Sequence, residues 1–96
     1  MPNPAIPVHH DTAGQRFITQ EGGQTSEACY RPIGNILVMT HTGVPAALAG
    51  RGIAAALVQA ALDHARAHGL KVRPQCSYVQ AYMQRHPESL DLLERP

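Results

Sequence analysis

Apolar and polar residues alternate along the first half of the chain, whereas in the second half apolar residues recur at helical spacing. The alternation predicts strands over residues 15–20, 27–31 and 36–42, with turns at Gly22–Gly23 and over residues 32–35. A short strand is also expected before Asp11. The first half of the chain therefore predicts an antiparallel meander.

The strand at 36–42 is the most apolar of these and is expected at the centre of the sheet, covered on both sides. Strict alternation places Leu37, Met39 and His41 on one face. Thr40 and Thr42 then lie on the other face, together with the residues at positions 36 and 38.

From Gly52 to His68 apolar residues return every three or four positions, which predicts a long amphipathic helix that ends at Gly69. Residues 70–73 predict a brief strand after it. Because a helix connects the two strands, this one is expected to run parallel to the strand at 36–42, through a right-handed crossover.

A second helix is expected from Ser77 to about His86, because Ser77 and Gln80 have the spacing of a capping box. A proline follows and breaks it. The remaining residues are expected to form one or two further amphipathic turns, with Leu90 and Leu93 facing inward.

Composition narrows the class of protein. The 96 residues, 44% apolar with a net charge of +1, fit an extended arm over residues 1–7 and one domain over residues 8–96. Without clusters of basic residues, nucleic acid is not an expected partner. No apolar run reaches the roughly 20 residues of a membrane span, and the first residues do not resemble a signal peptide, so a cytoplasmic protein without a membrane partner is expected.

The cysteine and histidine spacings do not predict a metal site. Cys29 and Cys76 are too far apart for a zinc pair and give no disulfide framework, so both are expected to be free thiols. His9 and His10 are neighbours on an extended segment and point to opposite faces, which makes them a weak metal site.

The segment VPAALAGRGIAAAL joins the apolar strand to the long helix, and in it Gly50 and Gly52 flank Arg51. Glycines at a helix start let backbone N–H groups approach an anion, so phosphate binding is one interpretation. The other is that the glycines serve only the turn. The segment lacks the third glycine of a dinucleotide fingerprint and the Lys-Ser/Thr of a P-loop, which excludes both nucleotide classes.

The same segment resembles the core motif of the GNAT superfamily of N-acetyltransferases, Gln/Arg-x-x-Gly-x-Gly/Ala, which falls here on residues 47–52 with Ala47 at the Gln/Arg position. The segment PQCSYVQAYMQRHPE extends the resemblance to a small single-domain subfamily. It covers the chain from Val8 to Leu93.

The resemblance implies a minimal α+β fold: a mostly antiparallel, splayed sheet with a parallel strand-helix-strand unit and a second helix. It further implies that acetyl-CoA, as co-substrate, inserts where the two parallel strands diverge. The chain ends soon after the second helix, so the elements that shape acceptor pockets in larger relatives are missing and the amine acceptor stays unknown. The residues implied to contact acetyl-CoA are Met39, Thr40, His41, Thr42, Val44, Gly50, Arg51, Gly52, Ile53 and Ala54.

Four residues are candidates for catalysis. Cys76 lies before a helix, with Lys71 and Arg73 near in sequence, features that favour a thiolate able to accept the acetyl group; the alternative is a structural cysteine. His41 is a candidate general base. Tyr78 and Tyr82 share a helix face, and the resemblance implies that one of them protonates the departing CoA thiolate, with core packing as the alternative.

Three functions remain open from the sequence. The leading one is transfer of an acetyl group from acetyl-CoA to an amine, directly or through Cys76. The second is a non-catalytic acetyl-CoA-binding sensor or scaffold, and the third is an interaction domain that does not bind CoA.

Overall fold

The computed structural model describes residues 6–95, so the predicted extended arm falls mostly outside the described residues. Five strands form one sheet in chain order: β1 (His9–Asp11), β2 (Arg16–Glu21), β3 (Gln24–Ile33), β4 (Ile36–Gly43) and β5 (Lys71–Pro74). Neighbours are antiparallel except for β4 and β5, which are parallel. The mixed α+β prediction is confirmed.

Two α-helices follow β4, namely α1 (Ile53–Ala67) between the parallel strands and α2 (Ser77–Arg85) after them. Short 3-10 helices lie at Ala46–Leu48 and Pro87–Leu92. The apolar stripe of α1 is buried along its whole length, because it packs on one face of the sheet. α2 and the last 3-10 helix join the same core. The core residues of the sheet are Phe17, Ala28, Tyr30, Leu37, Met39 and Val72.

The strand predicted at 27–31 is longer than expected. β3 continues through Pro32 and Ile33, which pair with Leu37 and Ile36, so the expected break shrinks to a turn at Gly34. Pro32 is tolerated because β2 pairs with β3 only as far as Cys29. Beyond that point β3 has a single neighbour, and the missing N–H of proline removes no ladder bond on the free side.

Strict alternation along β4 is wrong, because a β-bulge interrupts it. Cys29 of β3 pairs with His41, but the next residue of β3 pairs with Met39, so Thr40 is extra. Beyond the bulge Thr42 pairs with Ala28, a fully buried residue on the face that the helices cover. His41 lies on the other face, opposite Cys29. That face carries no helix, yet Val38 on it is only 2% exposed, so β4 is covered on both sides over residues 37–39, as expected, and is open only beyond them.

The capping box predicted for α2 does not form. Cys76 is the N-cap and Ser77 is the first helical residue. The side chain of Gln80 instead reaches back, and its Nε2 donates to the carbonyl of Pro74 at 2.9 Å. In the last 3-10 helix Leu92 is the most deeply buried leucine, while Leu90 and Leu93 are half-buried.

Within residues 6–95 no helix combines the length and the apolar character needed to cross a bilayer. In the same part of the chain no three His, Cys, Asp or Glu side chains are arranged to hold a metal ion.

Candidate functional site

The two parallel strands separate after a short pairing. β4 and β5 pair from Ile36 and Lys71 as far as Met39 and Pro74. The carbonyl of Met39 then accepts the N–H groups of both Gln75 and Cys76 at 3.0 Å. Beyond this point β4 pairs only with β3, so its last residues present a free backbone edge to the gap. The predicted divergence of the two strands is present.

At the same end of the sheet, the loop into α1 leaves backbone donors free. Gly50 and Gly52 have φ values of 81° and 79°, and a Cβ built on either meets no atom within 4 Å. Backbone conformation, rather than space, therefore requires glycine there. The first helical bond runs from the N–H of Ala56 to the carbonyl of Gly52, at 3.0 Å. The preceding amides, from Ile53 to Ala55, have no backbone acceptor within residues 6–95, and the helix dipole favours negative charge next to them.

A groove of about 340 Å³ connects this loop with the start of α2. Its walls are mainly apolar. Five residues predicted to contact acetyl-CoA line it, and so does Tyr78. The sequence did not single out Leu48, Ala49 and Ala55, which also line it, although all three belong to the segment that carries the motif. The lining residues are Val44, Leu48, Ala49, Gly50, Gly52, Ile53, Ala54, Ala55 and Tyr78.

Cys76 lies where the strands separate. Its Sγ is 3.5 Å from Oγ1 of Thr42, the residue that the bulge turns toward the helices. Burial on its own would raise the pKa of the Cys76 thiol. The Thr42 hydroxyl and the backbone amides of Val79, Tyr78 and Thr42 outweigh that effect, so the pKa lies below its ordinary value. These donors stabilise the thiolate relative to the thiol.

The basic residues near Cys76 in sequence do not contribute to this effect. Arg73 donates two hydrogen bonds of 2.6 Å to the carboxylate of Glu94. Lys71 donates to the backbone carbonyl of Asp91 at 2.9 Å. Alternate residues of a strand point to one face, and both of these side chains turn toward the last residues of the chain instead. The sequence-based reason for a thiolate is therefore wrong in part, since hydrogen bonds replace the expected charges.

A family profile described as GCN5-related N-acetyl-transferase matches residues 16–92, which include every strand but the first, the glycine loop and Cys76. The chain belongs to this family. The members generally use acetyl-CoA.

Proteins named NATD1 are similar in sequence to this chain. The protein from Xenopus tropicalis is 36% identical over 89 residues, which are 90% of this chain and 82% of the relative. The Homo sapiens protein is 38% identical over 85 residues, covering 85% of this chain and 75% of the relative. A GCN5-like protein from Staphylococcus aureus, solved by NMR, has the same fold, with a TM-score of 0.73 over 98% of this chain and 93% of that one, at 24% identity.

The other five residues implied to contact acetyl-CoA do not line the groove, namely Met39, Thr40, His41, Thr42 and Arg51. Arg51 turns away and its Nη1 lies 2.6 Å from Oε2 of Glu21. The side chain of Met39 is fully buried, so only its backbone is at the gap. Thr40 is the bulge residue, and its hydroxyl donates to the carbonyl of Cys29 at 3.4 Å.

The two tyrosines of α2 occupy different environments in this GCN5-related fold. Tyr78 lines the groove, and burial raises its pKa. Tyr82 is 2% exposed, and its hydroxyl donates to Oε1 of Gln59 on α1 at 2.5 Å while its ring stacks on His86. Only Tyr78 therefore presents its side chain to the groove.

His41 lies beside the gap but not beside the sulfur of Cys76. The register places its side chain on the helix-free face, and no hydrogen bond joins it to Cys76. Its Nε2 is 4.0 Å from Oε2 of Glu27, a residue that sequence reasoning missed. Glu27 and His41 are far apart in sequence, and only the register of β3 and β4 brings them together.

Proposed function

We propose that this chain binds acetyl-CoA in the groove and transfers its acetyl group to an amine. The observation that carries the proposal is that four features meet at one end of the sheet. They are the free edge of β4, the glycine loop, the apolar groove and the sulfur of Cys76. Family membership makes acetyl-CoA the expected ligand of such a site.

In this proposal the backbone of residues 39–42 pairs with the pantetheine arm along the free edge of β4. The amides that follow Gly52 bind the pyrophosphate, because they lack acceptors within the described residues and stand at the positive end of α1. Ala47 stands at the Gln/Arg position of the motif that the segment resembles. Binding by backbone amides tolerates that replacement, since no side chain at that position is needed.

The arrangement around β4 suits two routes of acetyl transfer. In the direct route the amine attacks the thioester carbon, the C–S bond breaks, His41 takes the amine proton and Tyr78 protonates the CoA thiolate. In the covalent route the Cys76 thiolate attacks first and CoA leaves, and the amine then displaces Cys76. The lowered pKa of Cys76 supports the covalent route. Tyr82 is the weaker candidate for the acid, because Gln59 engages its hydroxyl.

A non-catalytic acetyl-CoA-binding module is the second candidate. It is favoured by one observation, that the candidate base and the candidate nucleophile lie on opposite faces of β4 without a hydrogen bond between them. Both candidates require acetyl-CoA binding. The two free thiols agree with a reducing compartment, and we propose the cytoplasm.

The experiment combines a thermal titration with intact-mass measurement. Acetyl-CoA at about 100 times its Kd should stabilise the folded protein by about 2.7 kcal/mol, seen as a rise in Tm. The absence of a shift at millimolar acetyl-CoA would contradict both candidates. A mass gain of one acetyl group, lost in Cys76→Ala and kept in the matched variant Cys29→Ala, would establish the covalent route. Cys29 is a suitable control because burial, followed by Glu27, raises the pKa of its thiol.

If Cys76→Ala still releases CoA at the wild-type rate with primary amines, the covalent route is wrong and direct transfer remains. If acetyl-CoA binds but no amine causes CoA release, the non-catalytic module is the better description.

A further inference from the structure

A line of polar side chains crosses the helix-free face of the sheet, with one residue from each of the first four strands. Asp11 of β1 accepts from Nε of Arg16 on β2 at 2.9 Å. Nη1 of Arg16 donates to Oε1 of Glu27 on β3, also at 2.9 Å. The second oxygen of Glu27 lies 4.0 Å from Nε2 of His41 on β4. The line ends beside the gap between β4 and β5.

The inner part of this line is more sheltered than its end. About a third of each side chain is exposed at Asp11, Arg16 and Glu27, against 62% at His41. One direct hydrogen bond, from Arg16, therefore holds the carboxylate of Glu27 from one side, and Asp11 in turn holds Arg16; the other oxygen of Glu27 stays available to the imidazole. The hydrogen bond from Arg16 is the main reason that the pKa of Glu27 lies below its ordinary value, so Glu27 is ionised at neutral pH.

The line differs from an ordinary surface ion pair in where it leads. Exposed ion pairs contribute little to stability. This line connects β1 and β2, on one side of the sheet, with the end of β4, where the thioester lies in the proposed function. The groove and Cys76 approach that strand end from the helix side, and His41 approaches it from the open side. An acceptor amine entering from the open face would therefore meet His41 first.

We propose that Glu27, held by Arg16 and Asp11, is a positioning residue that orients His41 and stabilises its protonated form during acetyl transfer. This inference rests on the proposed function. In the transfer step the amine nitrogen forms a bond to the acetyl carbon and the C–S bond breaks. The bonding electrons stay on the departing sulfur, and the amine proton goes to His41. The imidazolium that results faces the Glu27 carboxylate, so the new charge is compensated where it forms.

The tautomer follows from the same geometry. The 4.0 Å between Nε2 and Glu27 is too long for a hydrogen bond, but Nε2 is the ring nitrogen that would donate once the two groups close, so neutral His41 is expected to carry its proton there. Nδ1 is then the atom that accepts the proton of the amine. Cys29, which lies opposite His41, is the other titratable group that faces Glu27 from β3. Burial and then the charge of Glu27 raise the pKa of Cys29, so it stays neutral and does not compete for the imidazole.

The test compares Glu27→Gln with a matched variant, Glu94→Gln. Glu94 is also an acidic residue in an arginine pair, but it binds Arg73 near the chain end instead of facing His41. The first readout is the ¹⁵N spectrum of the His41 ring in the protein without substrate. The Nε2–H tautomer should dominate in the wild type and in Glu94→Gln, and its share should fall in Glu27→Gln.

The second readout is the pH–rate profile of CoA release, with N-acetyl-lysine amide and spermidine as amine probes. Glu27→Gln should lower kcat about fivefold, the size expected for the loss of one opposite charge 4 Å away in water, and should move the acid limb of the profile to lower pH. KM for acetyl-CoA should not change, and Glu94→Gln should behave like the wild type. Glu27→Asp should restore part of the loss because it keeps the charge.

The two readouts separate the possible failures. If neither amine is acetylated but Glu27→Gln changes the tautomer, the proposed function fails for these amines and the positioning of His41 stands. If the wild type is active and Glu27→Gln changes neither the tautomer nor the acid limb, the positioning role is wrong and the proposed function stands. Equal losses in Glu27→Gln and Glu94→Gln would reduce Glu27 to a structural role and overturn the proposal.

Discussion

The two ends of α1 differ in whether their terminal backbone groups form hydrogen bonds with the rest of the described chain. At the carboxyl end the N–H of Leu70 bonds to the carbonyl of Ala65 at 2.8 Å, and the N–H of Gly69 bonds to that of Arg66 at 3.4 Å, which together form a Schellman motif. The carbonyl of His64 accepts from the backbone N–H of His68 as well. This end of the helix is closed, because the protein satisfies its own acceptors.

At the amino end the amides from Ile53 to Ala55 have no backbone acceptor within the described residues, and Gly52 provides no side-chain cap. A serine, threonine or aspartate at the N-cap would satisfy one of these donors and stabilise the helix by about a few tenths of a kcal/mol relative to glycine. Gly52 forgoes that stabilisation. The difference between the two ends supports the proposed ligand site at the amino end, while the carboxyl end contributes to stability.

The largest expected effect comes from Gly52→Ala, compared with Gly69→Ala. The two glycines have similar φ values, 79° and 68°, and a Cβ at either meets no atom within 4 Å. Each substitution should therefore destabilise the fold by about 1–2 kcal/mol, the cost of a left-handed alanine. Only Gly52→Ala should also weaken acetyl-CoA binding, by about tenfold or more, because the strained turn carries the binding amides.

The measurement is calorimetric titration with acetyl-CoA, beside denaturant unfolding of both variants. Equal losses of affinity would mean that binding follows global stability, and the contrast between the ends of α1 would disappear. An unchanged affinity in Gly52→Ala would place the ligand elsewhere.

How far the sequence predicts this molecule differs between its elements. Helical periodicity and Gly69 predicted α1 to within a residue at each end, because local pattern and capping decide those limits. The glycine loop was predicted for the same reason. The sheet faces on which His41 and Thr42 lie were not predicted. A single bulge at Thr40 exchanges the faces of these two residues, and nothing in the alternation indicates the extra residue.

The neighbours of the candidate catalytic groups were also beyond the sequence. Closeness along the chain suggested Lys71 and Arg73 as partners of Cys76, but strand geometry sends both to the chain end, and the hydroxyl of Thr42, distant in sequence, takes their place. The approach of Glu27 to His41 likewise depends on the register of β3 and β4. Contacts of this kind are tertiary, so local pattern does not contain them.

An intermediate effect is expected at the closed end of α1, where His10 of β1 packs against His64, with ring centroids 4.6 Å apart. Burial is the main reason that the pKa values of both histidines lie below 6.5. At His10 the charges of His9 and His68 lower the pKa further and Asp11 opposes them, and at His64 the charge of His68 lowers it further. The unfolded chain therefore binds more protons than the folded one below about pH 6.5.

The free energy of unfolding should consequently keep its full value above pH 6.5. It should decrease as the pH falls toward the lowered pKa values, by less than about 1.4 kcal/mol per pH unit for each histidine. His64→Phe keeps an aromatic ring in the cluster and removes one titrating group, so its free energy of unfolding should depend less steeply on pH. Urea unfolding between pH 5 and 7.5 measures both slopes. The same slope in the two proteins would show that the closed end of α1 is not sensitive to protons.

The smallest effect is expected from the exposed arginine at each end of the helix. Arg66 binds both carboxylate oxygens of Asp91 at 2.9 Å, whereas Arg51 binds Glu21 and does not line the groove. Arg66→Gln should slightly lower Tm and leave acetyl-CoA affinity unchanged. Arg51→Gln should lower that affinity about two- to threefold at low salt, the size typical of an exposed charge near an anion, and the difference should vanish at high salt.

Glu21 makes this last comparison sharper. Because Arg51 must leave Glu21 before it can approach a phosphate, Glu21→Gln should raise acetyl-CoA affinity in the wild-type background and have no effect in an Arg51→Gln background. Titrations of the two single variants and the double variant, at low and high salt, measure this coupling. If Glu21→Gln raised the affinity equally in both backgrounds, the carboxylate would act on the ligand directly, and Arg51 would have no part at the open end of α1.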